Sequence, residues 1–120
     1  MALAILLLGR RDAAQGEALL RRALELNPNS WLGFYELGKL ELYRMRLDAA
    51  LEAARQAEIL APQQPKIYHL LSLIHLRQRD YQAAVADLDA YIRLDPDSPD
   101  GQTAKQIRAD TQHKLESAHP

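Results

Sequence analysis

The chain has 120 residues, of which 48% are hydrophobic, so it is long enough to bury the core of one ordinary domain. Its 15 Lys+Arg residues nearly balance its 16 Asp+Glu residues, which argues against bulk electrostatic attraction to nucleic acid or to an anionic membrane. The absence of cysteine excludes disulfides, thiolate nucleophiles and Cys-based zinc sites, and it leaves the cellular compartment undetermined.

The chain opens with an apolar segment from Met1 to Gly9, followed by Arg10 and Arg11. Basic residues precede the apolar stretch in a secretory signal, so this order is the reverse of a signal peptide. The segment is also too short to cross a bilayer. We therefore predict a first helix near residues 1–9 and no membrane insertion.

A 34-residue step organises the rest of the chain: Pro28, Pro62 and Pro96 recur at this spacing, each two residues after a leucine. A proline ends a helix because it cannot continue the hydrogen-bond ladder. Periodicity and these breaks predict helices near residues 1–9, 13–26, 31–45, 47–61, 65–78, 81–94 and 99–117.

Residue size follows the same step when each proline is counted as repeat position 32. Small residues at positions 8 and 20 would let helix backbones approach closely, while large residues at positions 7 and 10 fill the space around them. The small columns are Ala4, Gly38, Ser72 and Gly16, Ala50, Ala84, and the large columns are Leu3, Leu37, Leu71 and Leu6, Leu40, Ile74.

Helix ends can be predicted in the same frame. Asp12 and Asp80 share one repeat position and are expected to cap second helices through their carboxylates. Pro65 and Pro99 are each expected at a first helical position. The turn inside each repeat lacks glycine, which predicts strained turns at Arg11, Met45 and Arg79. Polar residues at position 11, Glu41 and His75, are expected to face solvent or to have a hydrogen-bond partner.

Residues 99–117 depart from the repeat and predict a C-terminal capping helix. Its apolar positions recur at helical spacing, and its basic residues are expected to face water. The first set is Ala104, Ile107, Thr111 and Leu115, and the second is Lys105, Arg108 and Lys114.

This pattern resembles the tetratricopeptide repeat, a pair of antiparallel helices with small residues at positions 8 and 20 and proline at 32. The resemblance implies an all-α, right-handed superhelical array forming a single domain over residues 1–120. Its parts would be a truncated repeat one (1–30), repeat two (31–64), repeat three (65–98) and the capping helix (99–117). Repeat one would lack its first four positions, so Met1 is expected to begin inside a helix, as in a domain excised from a longer chain.

The resemblance also implies a concave groove lined by first-helix residues that would bind a peptide or a helix. Its aromatic, apolar and cationic residues are typical of binding surfaces and would suit an acidic group among apolar side chains. A simpler interpretation is that the leucines and tyrosines only cover the core. The groove residues are Leu32, Tyr35, Lys39, Leu42, Tyr43, Lys66, His69, Leu73, Leu76 and Arg77.

An enzymatic or metal-binding function has little support in the sequence. His113, Glu116 and His119 could share a helical face, but a carboxylate-bridged metal site needs further ligands from facing helices. None of the glycines forms a phosphate-binding loop. We therefore predict no catalytic residues, no metal and no cofactor.

The sequence favours a non-catalytic scaffold for a protein or peptide partner, with no nucleic-acid partner. One alternative is a regulatory or assembly domain of a longer enzyme or envelope protein, because the stretch Ile67–Leu115 is similar to repeats attached to such bacterial proteins. Another is self-association into a homo-oligomer through the uncapped first repeat, where Leu3, Leu6 and Leu7 would be exposed in an isolated chain.

Overall fold

The computed structural model describes the backbone of residues 2–117 and the side chains of residues 12–117. The described residues form helices only, so the predicted all-α fold class is confirmed. Contacts divide the chain into two compact units, Met1–Leu60 and Ala61–Pro120. The helices are α1 (Ala2–Leu26), α2 (Trp31–Tyr43), α3 (Leu47–Leu60), α4 (Pro65–Arg77), α5 (Tyr81–Leu94) and α6 (Pro99–Ser117).

In the first unit, α2 packs against both α1 and α3. Leu24, Leu37 and Ala53 form a buried cluster, with Leu20 and Phe34 packed against it. The side chains that α3 buries are all alanine, which allows a close approach of α2 and α3. They are Ala50, Ala53, Ala54 and Ala57.

Repeat one differs from the sequence prediction because α1 is one continuous helix. The turn expected between residues 9 and 13 is absent, and the expected capping role of Asp12 is wrong, since Asp12 lies exposed inside the helix. A turn there would place Arg11 in the left-handed conformation of its repeat equivalents, at about 1–2 kcal/mol for a residue other than glycine. Continuing the helix avoids that cost.

The turns inside repeats two and three, between α2 and α3 and between α4 and α5, each contain a strained residue. Met45 and Arg79 have φ angles of 59° and 60°, the left-handed region. Each follows a helix end in which two backbone amides bond back into the last turn. Arg46 N donates to Glu41 O at 2.9 Å, and Asp80 N donates to His75 O at 2.9 Å. This is the Schellman motif, whose left-handed position glycine usually occupies.

Replacing Arg79 with glycine is therefore expected to stabilise the protein by about 1 kcal/mol, because glycine adopts a positive φ without a Cβ clash. Arg79 is exposed, so little packing is lost. Urea unfolding followed by circular dichroism measures the change. Arg79→Ala is the matched control and should not stabilise, since alanine keeps the Cβ. Equal stability of the two variants would contradict the account of this turn.

In the second unit, α5 packs against both α4 and α6. The predicted helix starts at residues 65, 81 and 99 are confirmed. Pro65 begins α4, and Asp80 caps α5 by accepting a hydrogen bond from Ala83 N at 3.2 Å. Ser98 precedes Pro99 and accepts from Gly101 N at 3.0 Å. The largest fully buried apolar side chains of this unit are Ile67, Leu70, Leu71, Ile74 and Leu88.

Helix α6 presents the predicted face to α5. Ala104 and Thr111 are buried, and Ile107 and Leu115 are half-buried. Two cations attach its outer side to α5. Arg108 Nε lies 2.5 Å from Asp89 Oδ1, and Lys114 Nζ lies 5.7 Å from the ring centroid of Tyr81. The expectation that Arg108 and Lys114 serve only as solvent-facing residues is thus incomplete, whereas Lys105 is exposed as predicted.

Candidate binding surfaces on the first helices

We call the five predicted groove residues on α2 the α2 surface. The Ser30 hydroxyl caps the start of this helix by accepting a hydrogen bond from Gly33 N at 3.0 Å. Trp31 and Tyr35 have ring centroids 6.1 Å apart, and Lys39 Nζ lies 5.2 Å from the Tyr35 centroid. Aromatic and cationic groups therefore follow one another along the helix. The surface comprises Leu32, Tyr35, Lys39, Leu42 and Tyr43, of which Tyr35 and Leu42 are half-buried and the others are exposed.

The α4 surface consists of the five predicted groove residues on α4, a helix whose sequence contains no acidic residue. His69 is exposed, and its ring centroid lies 6.0 Å from that of Tyr91 on α5. The two rings are tilted by 54°, so the imidazole lies at an angle to a buried aromatic ring. The surface comprises Lys66, His69, Leu73, Leu76 and Arg77, of which Leu76 is half-buried and the others are exposed.

None of the ten predicted groove residues is buried, although both helices bury other side chains completely. Leu42 and Leu76 are half-buried and so contribute partly to packing, as the simpler interpretation expects. Leu32 and Tyr43 are 50% and 54% exposed, so covering the core does not account for them. A role of these residues in binding remains a prediction.

Repeat position 11 carries buried polar residues in both complete hairpins. His75 has the predicted partner, since its Nδ1 lies 2.5 Å from Asp87 Oδ2 across α4 and α5. Glu41 is also buried but has no hydrogen bond to either carboxylate oxygen. Its charge is balanced by Arg44 and Arg46, each with a guanidinium nitrogen 3.7 Å from a carboxylate oxygen. The expected hydrogen bond of Glu41 is therefore absent, and an ion-pair cluster replaces it.

Glu17 on α1 joins the same cluster. It accepts hydrogen bonds from Arg44 and, at 3.0 Å, from Arg21 Nε, while Arg46 Nη1 lies at 3.3 Å. The hydrogen bond from Arg21, followed by that from Arg44, holds the pKa of the Glu17 carboxyl below its ordinary value, against the opposing effect of burial. The charged carboxylate thus ties α1 to the end of α2. No sequence pattern indicated this cluster, because Glu17 and Arg44 are 27 residues apart.

The three residues considered as metal ligands do not come together in the described part of the chain. Among the described residues, no group of three His, Asp or Glu side chains is placed to hold a metal ion. His113 and Glu116 are exposed on α6, and His119 lies outside the described residues. None of the described helices is both long and apolar enough to cross a membrane.

Antiparallel helix hairpins with a 34-residue step and exposed first-helix faces define an all-α repeat protein of the interaction-scaffold class. The family model for the tetratricopeptide repeat matches residues 1–65 and 35–99. The chain therefore belongs to the tetratricopeptide repeat family, as predicted, and members of this family are generally non-catalytic scaffolds.

Among solved structures, the chain is similar to MamA 41-end from Desulfovibrio magneticus RS-1. The two are 20% identical, with a TM-score of 0.69, and the match covers 100% of this chain and 75% of that one. A likeness at this level of identity supports the fold alone. No curated protein sequence matches the chain.

Proposed function

We propose that the protein is a non-catalytic scaffold that binds a peptide or helix of a protein partner through the α2 surface and the α4 surface. The observation that carries this proposal is that all ten residues of these surfaces are accessible, with aromatic, apolar and cationic groups side by side. Aromatic residues and arginine are enriched where protein interfaces gain most of their binding energy.

The charges of the two surfaces indicate the chemistry of the partner. Helix α4 contributes Lys66, His69 and Arg77 with no acidic residue in the helix. On α2, Lys39 Nζ lies 3.6 Å from Glu36 Oε2, but both side chains are about half exposed, and such surface pairs contribute little. A carboxylate of the partner can replace Glu36 at this site. The proposed partner segment therefore carries acidic residues between apolar ones.

The test compares two double variants. The surface variant combines Tyr43→Ala with Lys66→Glu, and the matched control combines Ile59→Ala with Arg55→Glu. Both pairs remove one exposed apolar side chain and reverse one exposed charge, but the control residues lie on the second helix α3. Partners are first captured from cells of the source organism, and the binding segment is mapped. Its affinity for each variant is then measured by titration calorimetry.

The proposal predicts that the surface variant binds the segment at least tenfold more weakly, or about 1.4 kcal/mol, while the control is unchanged. Circular dichroism verifies that both variants fold. Equal affinity for the surface variant and the native chain would overturn the proposal. So would equal weakening by the control, because binding would then depend on total charge and not on the first helices.

A further inference from the structure

One face of α1 lacks the cover that the corresponding faces of α3 and α5 have. Repeat positions 20, 23, 24 and 27 are buried in both of those helices. The buried residues are Ala50, Ala53, Ala54, Ala57 and Ala84, Asp87, Leu88, Tyr91. In α1 the same positions are Gly16, Leu19, Leu20 and Ala23, which we call the bare face. Leu19 is 70% exposed, Ala23 is exposed, and the other two are only half-buried.

An open apolar cavity of about 490 Å³ adjoins the bare face, between α1 and α2. Three residues of the bare face line it, together with three residues of α2: Gly16, Leu19, Leu20, Glu36, Lys39 and Leu40. In the other two hairpins, the first helix packs against the second helix that carries the equivalent positions, α2 against α3 and α4 against α5. A first helix is therefore what the bare face lacks.

The chain contains the sequence of that missing helix in residues 2–10. Leu3, Ala4 and Leu6 occupy the repeat positions of Leu37, Gly38 and Leu40, so this segment has the first-helix pattern. The pairing of positions 11 and 23 gives the register. In repeat three these positions are His75 and Asp87, which are in direct contact. In repeat one they are Leu7 and Leu19, two apolar residues that match each other.

Leu7 cannot reach Leu19 of its own chain while α1 is continuous. The two residues are twelve positions apart on one helix, a rise of about 18 Å. A second copy of the chain can supply the segment, and two copies can do so reciprocally about a twofold axis. We infer that two copies of this protein exchange residues 2–10, so that the segment of each copy covers the bare face of the other.

The turn chemistry favours exchange over closure within one chain. Closing the hairpin would require a left-handed residue at the turn, as at Met45 and Arg79, and Arg11 occupies that position. Exchange covers the bare face without any left-handed residue, because α1 stays helical through residues 9 to 13. The bare face lies on α1, and Lys39 is the one residue of the α2 surface that lines the adjoining cavity, so the exchange does not rest on the proposed binding function.

The first experiment introduces the pair Leu7→Cys and Leu19→Cys into the full chain, which has no other cysteine. After mild oxidation, a non-reducing denaturing gel separates the products. Exchange predicts covalent dimers, because the thiol introduced at position 7 of each copy meets the thiol introduced at position 19 of the other. The control pair, Leu7→Cys with Ile59→Cys, joins residue 7 to an exposed position outside the bare face and should stay largely uncrosslinked. An internally crosslinked monomer, or no disulfide at all, would overturn the inference.

The second experiment needs no cysteine and tests the hinge. Sedimentation velocity of the native chain at about 50 μM is expected to show twice the monomer mass. Arg11→Gly permits a left-handed turn and should shift the protein toward a closed monomer, whereas Arg11→Ala should remain dimeric. A native chain that stays monomeric at this concentration, or an alanine variant that dissociates as far as the glycine variant, would contradict the exchange.

Discussion

Gly101→Ala is expected to destabilise the protein by about 3 kcal/mol, at the upper end of the usual cost of overpacking. Gly101 is the third residue of α6 and is buried. A Cβ at this position would lie 2.1 Å from the carbonyl oxygen of Asp95 and 3.0 Å from the carbonyl carbon of Pro96. Both neighbours are backbone atoms, so relief requires the turn between α5 and α6 to move. Urea unfolding followed by circular dichroism measures the loss.

The turn has little freedom to move, because it is tied together by a chain of hydrogen bonds. Ser98 Oγ accepts from Gly101 N and donates to Asp95 Oδ2 at 2.8 Å, and Tyr91 also contacts Asp95. Gly16→Ala is the matched control. Its Cβ would lie 3.5 Å from Leu40 Cδ2, an ordinary contact, and alanine already fills this repeat position in α3 and α5. A Gly101→Ala variant as stable as Gly16→Ala would refute this description of the turn.

Asp87→Ala is expected to cost about 2–3 kcal/mol, because it removes the observed contact to His75 and leaves that imidazole buried. The penalty comes mainly from desolvation of the remaining polar group. The same unfolding measurement at neutral pH gives the change. A loss below about 0.5 kcal/mol, the lower end of what one hydrogen bond contributes, would show that the contact adds little to stability.

The double variant His75→Leu with Asp87→Leu separates the loss of the contact from the cost of leaving one polar partner buried. Replacing both partners of a buried polar pair with apolar groups is often nearly neutral. It also gives repeat three the leucine pair that repeat one carries at the same two repeat positions, in Leu7 and Leu19. We expect the double variant to be more stable than Asp87→Ala. A double variant at least as unstable as the sum of its single changes would argue that the site cannot accommodate leucine.

The sequence predicted those parts of the fold that rest on local chemistry. Three helix starts depend on residues that act on the adjacent backbone: Pro65, the carboxylate of Asp80, and Pro99. All three helix starts were predicted correctly. The turns at Met45 and Arg79 were expected to be strained because glycine is missing, and their positive φ angles confirm this. The turn predicted in repeat one is absent for the same reason. A left-handed Arg11 would be costly, and a continuous helix avoids that cost.

The candidate site was only partly predictable. Exposure of the first-helix residues follows from repeat position, because the opposite side of each helix packs on its partner. The cluster of Glu17, Glu41 and two arginines could not be predicted, because it joins side chains from α1 and from the end of α2. A polar residue at repeat position 11 was the one available signal. This signal indicated that Glu41 would need a polar partner, but not which residues would balance its charge.

The most direct test of the central claim is to follow the amide signals of the isotope-labelled chain by nuclear magnetic resonance while the mapped partner segment is added. If the first helices bind the partner, the largest shift changes will fall in α2 and α4, around Tyr35, Tyr43, His69 and Leu73. Signals of the exposed side of α3, including Arg55 and Ile59, should move little. Changes concentrated on α3 or α6, with α2 and α4 unmoved, would contradict the proposed binding surfaces.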